Sequence, residues 1–120
     1  MTTIRDFHDL NIWKDSRLLV VKIYSLLKKF PDSEKYALCD QIRRAIVSVP
    51  SNIAEGFDRG SNKEIKQFLI ITRGSLAEVY TQITLAYDLK YISKVDYDSI
   101  EQDIIKLRKM INSFIRHLSK

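Results

Sequence analysis

The chain has 120 residues, 45% of them hydrophobic and 29% charged, with 20 Lys and Arg against 15 Asp and Glu. That length suits one domain with one real core, and the balance is that of a globular protein with a mild lean toward polyanions. The single cysteine excludes an intrachain disulfide, no apolar run approaches a membrane span, and the N-terminus lacks an apolar signal core, so a cytoplasmic location is expected.

Only three Gly and two Pro punctuate the chain, which favours a few long helices. The first is predicted over about 10–30, where Trp13, Val20, Ile23, Leu27 and Phe30 recur at three- and four-residue steps. Pro31 ends it, and Asp32 or Ser33 is suited to cap the next helix. The second spans about 34–57 on a stripe of Leu38, Ile42, Ala45, Val49 and Ile53. Gly60 suits its C-terminal cap, and Ser61 with Glu64 has capping-box spacing for the third helix, about 63–89. There Ile65, Leu69, Leu76, Val79 and Ile83 keep the helical step, and Gly74 marks a close helix approach. Ser93 or Asp96 caps a fourth helix, about 97–118, whose Tyr97, Ile100, Ile104, Leu107, Ile111, Phe114 and Leu118 form an unbroken seam. Short connections make sequential helices antiparallel, so an all-α, up-down-up-down four-helix bundle is expected.

The segment SVPSNIAEGFDRGS places Pro50 inside the second helix. Pro50 removes a backbone donor and crowds the Ile46 carbonyl, yet the apolar phase continues across it, which predicts a helix kinked near Pro50 rather than broken. Ser48, Ser51 or Asn52 is placed to satisfy the groups it frees. On a helical wheel Gln41, Arg44, Ser48, Asn52, Glu55 and Arg59 fall within roughly 80°, a polar ribbon without Lys beside the apolar stripe. Gln67, Gly74, Ser75, Glu78 and Gln82 form a comparable second face on the third helix. Gly74 and Ser75 allow a neighbouring backbone to come close, and Glu78 is suited to pair with an Arg within the chain or across an interface.

Enzyme chemistry finds little support. His8 and His117 lie at opposite ends, no Glu-x-x-His pair appears, there is no Gly-rich phosphate loop, and Cys39 adjoins the apolar stripe. No catalytic residue, metal or cofactor is assigned. Nucleic-acid contacts have two candidate sets. Arg43, Arg44, Arg59, Lys63 and Lys66 form the first; Lys106, Arg108, Lys109, Arg116 and Lys120 lie on the fourth helix. No aromatic platform for bases is evident. An assembly or adaptor scaffold with an unidentified protein partner is the alternative, with Gln41, Ser48, Asn52, Glu55, Gly74, Ser75 and Glu78 as interface candidates.

The blocks DLNIWK, FP, QIRRA, SVPSNIAEG and GSLAE together resemble the 23S rRNA intervening-sequence protein family of small bacterial four-helix bundles. The resemblance covers nearly the whole chain. It implies an up-down bundle that assembles as a homopentamer, no established enzymatic activity, and RNA binding inferred from gene context. It also suggests a distant likeness to the pentameric, nucleic-acid-binding accessory proteins of diversity-generating retroelements. Gln41, Arg43, Arg44, Ser48, Pro50, Asn52, Glu55, Gly56, Arg59, Gly74, Ser75 and Glu78 match family-type positions. Arg73 departs from the small residue usual before the Gly-Ser pair.

Overall fold

The computed structural model describes residues 6–7 and 10–119, and within them four helices pack around one core of buried aliphatic side chains. They are α1 (Asn11–Leu27), α2 (Leu38–Arg59), α3 (Asn62–Asp88) and α4 (Lys94–Leu118), with a 3-10 turn at Asp32–Glu34 between the first two. No strand occurs among the described residues.

The helix boundaries follow from local chemistry. Ser61 accepts the Glu64 N–H at 3.2 Å, so it caps α3 as expected, and its hydroxyl donates to the Glu64 carboxylate at 3.0 Å in place of the backbone N–H of a full capping box. Gly60 caps α2 with φ 85°, a left-handed conformation that side chains disfavour. Ser93 accepts the Asp96 N–H at 3.1 Å and starts α4 three residues earlier than the seam alone suggests. The start of α2 differs from expectation. Asp32 and Ser33 are spent in the 3-10 turn, and α2 begins at Leu38 after Ala37, which has no side chain to cap it. In compensation, the Arg43 guanidinium donates to the Lys35 carbonyl at 2.8 Å and ties the turn to the helix.

α2 runs unbroken through Pro50. The polar side chains around it do bond to the backbone, although not where expected. Ser48 donates to the Ala45 carbonyl, Ser51 to Val47 and Asn52 to Ser48, at 2.6–2.8 Å. These carbonyls flank the Ile46 carbonyl that Pro50 deprives of its donor. Of the stripe expected for the first helix, Ile23, Leu27 and Phe30 are buried, whereas Trp13 and Val20 pack at the edge and Ile12, Leu19 and Leu26 take the core beside them.

Cross-helix contacts set the pairing. α2 lies closest to α3. Gly56 is buried against Phe68, and a Cβ on Gly56 would overlap the Phe68 Cβ. α3 and α4 run antiparallel: Arg73 donates to Asn112 at 2.9 Å, Tyr80 to Glu101 at 2.5 Å, and Tyr87 stacks on Tyr97 at 4.7 Å. α4 closes on α1, also antiparallel, through Lys106–Asp15 at 3.8 Å, Lys22–Asp103 at 2.6 Å and Lys29–Asp96 at 2.7 Å. These surface pairs orient the seam more than they hold it. Burial of Ile23, Ile100, Leu107 and Ile111 supplies the attraction.

The two helical glycines should respond oppositely to alanine. Gly56→Ala forces α2 away from α3 and is expected to cost about 1–3 kcal/mol. Gly74→Ala meets no atom within 4 Å and should stabilise by up to about 1 kcal/mol. Urea unfolding of both variants checks this, and equal losses would contradict the packing described.

Candidate assembly and nucleic-acid surfaces

The polar ribbon of α2 and the second face of α3 meet across an open groove of about 700 Å³. Gln41, Arg44, Ala45 and Ser48 form one wall; Ser75, Glu78, Thr81 and Gln82 form the other. The arrangement follows from the wheel, because each polar arc adjoins the apolar arc that packs the two helices together. Gln82 is only 8% exposed, and its Oε1 has no hydrogen-bond partner. A smaller hollow of about 350 Å³ continues the groove past Gln41, between Glu34, Leu38, Leu85, Asp88 and Leu89. Sequence reasoning missed Leu85 and Leu89, half-exposed here, although their place outside the core stripe was a signal.

Other ribbon residues are not gathered into the groove. Asn52 is turned onto its own helix, and Glu55 pairs with Arg59 at 3.1 Å. Gly74 lies on the exposed outer side of α3 and makes no close approach within the chain; that role belongs to Gly56.

The arginines singled out for nucleic acid are mostly engaged within the chain. Arg43 is tied to the Lys35 carbonyl, with Asp40 at 3.9 Å. Arg44 pairs with Asp40 at 3.0 Å. Arg59 reaches Glu55 and, at 3.7 Å, Glu64, and stands 5.2 Å over the Phe68 ring. Lys63 and Lys66 have no carboxylate partner among the described residues. On α4, Lys106 leans toward Asp15, Arg108 lies 5.9 Å over Tyr80, and Lys109 and Arg116 are exposed. Lys120 and His8 lie outside the described residues.

Among the described residues the titratable groups gather into no reactive constellation. Burial pushes the Cys39 thiol up, away from thiolate character. The hydrogen bond to Glu101, with some burial, pushes the Tyr80 phenol up to about 12. His117 sits at the edge of Phe114, ring centroids 6.4 Å apart. Among the described residues no three His, Cys, Asp or Glu side chains gather where a metal ion could be held, and no helix is long and apolar enough to cross a membrane.

The family model described as 23S rRNA-intervening sequence protein matches residues 8–113. The chain belongs to that family. A comparison with curated proteins finds no match. Among solved structures, the chain is similar to a protein of unknown function from the S23 ribosomal protein family of Bacteroides thetaiotaomicron. The two are 25% identical, the likeness covers 88% of this chain and 95% of that one, and the TM-score is 0.81. Neither comparison indicates an enzymatic family. For this member of the 23S rRNA-intervening sequence family, the four-helix architecture is therefore supported from its own packing and from a relative's fold.

Because Arg43 anchors the 3-10 turn, Arg43→Ala should act on stability. A loss of about 1 kcal/mol is expected for a charged donor to a carbonyl at a half-exposed site. Thermal unfolding measures it, and an unchanged melting temperature would contradict the anchoring role.

Proposed function

We propose that this protein is a non-enzymatic bundle that assembles with copies of itself through the open α2/α3 face, in the cytoplasm. The observation that carries this reading is the groove itself. Its walls hold polar groups that the single chain does not use: the Gln82 acceptor, Ser75, and Glu78, which has no cation partner among the described residues. A buried acceptor left unpaired costs about 1–3 kcal/mol, which a neighbouring donor recovers. Exposed Ile71, Leu85 and Leu89 add apolar area on the same side of α3. A ring forms when this face meets a different patch on the next copy and the rotation closes, and five copies is the stoichiometry that the family resemblance implies.

A second reading, nucleic-acid binding, is favoured by cations that lack acid partners within the chain. A ring would multiply their field, because five copies bring five sets of the same charges together.

The assembly reading is tested with Glu78→Arg, because Glu78 lines the groove, is exposed and has no cation partner among the described residues. The parent chain of 14.1 kDa is expected to sediment as a ring of about 70 kDa, five times that mass. The variant is expected to keep its helix content while its mass falls toward that of one chain. A parent that sediments as one chain, or a variant of unchanged mass, would overturn the reading.

A further inference from the structure

Residues 65–77 and 104–120 contain no Asp or Glu, and both stretches carry Lys and Arg. The fold lays them side by side. Arg73 on α3 donates to Asn112 on α4 at 2.9 Å, which sets their register. Arg108 and Arg116 stand one turn to either side of Asn112, and Lys109 lies within roughly 60° of it on the same helix. Lys66 is two turns from Arg73, within roughly 20° of its direction. Because the helices are antiparallel, Lys66 comes beside the Arg116 end of the strip. None of these five cations has a carboxylate partner among the described residues. The strip ends at Glu101, whose carboxylate is already held by Tyr80 and Tyr97.

Helix electrostatics alone do not account for this arrangement. Cations in the last turns of α4 complement the negative end of its dipole, so Arg116 is unremarkable there. Lys66 sits near the positive end of α3, where a cation is disfavoured, and Arg73 sits mid-helix, where the dipole is neutral toward it. The contrast within α4 is sharp. Residues 94–103 carry Asp96, Asp98, Glu101 and Asp103, and the rest of the helix carries none.

We infer that this acid-free half of the α3/α4 face binds a nucleic-acid strand through its phosphates. The inference rests on the nucleic-acid reading above and moves its site away from Arg43, Arg44 and Arg59. Three of the five cations are Arg, whose planar fork matches phosphate oxygens, and Arg108–Arg116 spans about 12 Å along the helix, enough to touch successive phosphates. Among the described residues no exposed Phe, Tyr or Trp accompanies them, so contact is to backbone and weakly selective in sequence.

The test is fluorescence anisotropy of a labelled twenty-nucleotide oligouridine with the full chain, across a salt series. The Lys109→Glu/Arg116→Glu pair is compared with Arg43→Ala and Arg59→Ala. The double variant touches no intrachain partner and is expected to weaken binding at least about tenfold. It should also reduce the magnitude of the log K against log salt slope by about 1.4, two single-strand phosphate contacts. Sedimented mass and helix content are expected to match the parent, and the two alanine variants should bind as the parent does. If the double variant binds as the parent does, the strip is overturned while nucleic-acid binding stands. If the parent does not bind, the nucleic-acid reading fails first. Retention on phosphatidylserine vesicles without any response to oligouridine would also overturn the inference, in favour of a membrane surface.

Discussion

The outer surfaces of this bundle depend on how closely α2 lies against α3. Gly56 against Phe68 sets that distance, since no side chain larger than hydrogen fits between them. With the helices this close, Ile42, Val49 and Ile53 of α2 and Leu69, Leu76 and Ile83 of α3 are buried in one core. The polar arcs on the outer side are then held opposite one another as groove walls. A wider spacing would admit water between the apolar stripes and separate Ser48 from Ser75. Packing at a buried glycine thus determines the shape of a surface about three turns away.

The other seams are built differently. α3 and α4 are joined by a part-buried polar set around Glu101, in which Tyr80 and Tyr97 both donate to one carboxylate and Tyr97 also meets Thr84. Such a set fixes register, because a slip of one turn separates Tyr80 from Glu101 and Thr84 from Tyr97. α1 and α4 rely on exposed ion pairs over an apolar floor. The consequence is a division of surface. The α2/α3 side presents hydrogen-bonding groups and scattered aliphatic side chains, and the acid-free half of the α3/α4 side presents unneutralised cations.

Much of the architecture was legible in the sequence because it is written in local rules. Ser61-x-x-Glu64, Gly60 and the Tyr97–Leu118 seam each specify a cap or a face with short-range chemistry, and the structure follows them. The family blocks added the expectation of a bundle, and the packing agrees. Features that depend on a distant partner were less legible. Gly74 and Gly56 look alike in sequence, and only the neighbour, Phe68 or open space, separates them. The α1 face was misread only at Trp13 and Val20, which fit the same period as Ile12 and Leu19, one residue away. The ion pairs of Arg44 and Arg59 were visible as i,i+4 acids, whereas the Arg43 bond to a loop carbonyl was not, since no side-chain spacing encodes it. The strip across α3 and α4 needed the register set by Arg73 and Asn112.

Assembly through the groove requires the α2/α3 face to be covered when copies meet. Hydrogen–deuterium exchange of the unmodified chain, followed at two protein concentrations, tests this most directly. Coverage suppresses local opening, so peptides spanning 41–52 and 70–85 are predicted to exchange more slowly at the higher concentration, while 104–118 exchanges at the same rate. Exchange independent of concentration in a chain that sediments as one copy, or slowing confined to the α1/α4 seam, would contradict it.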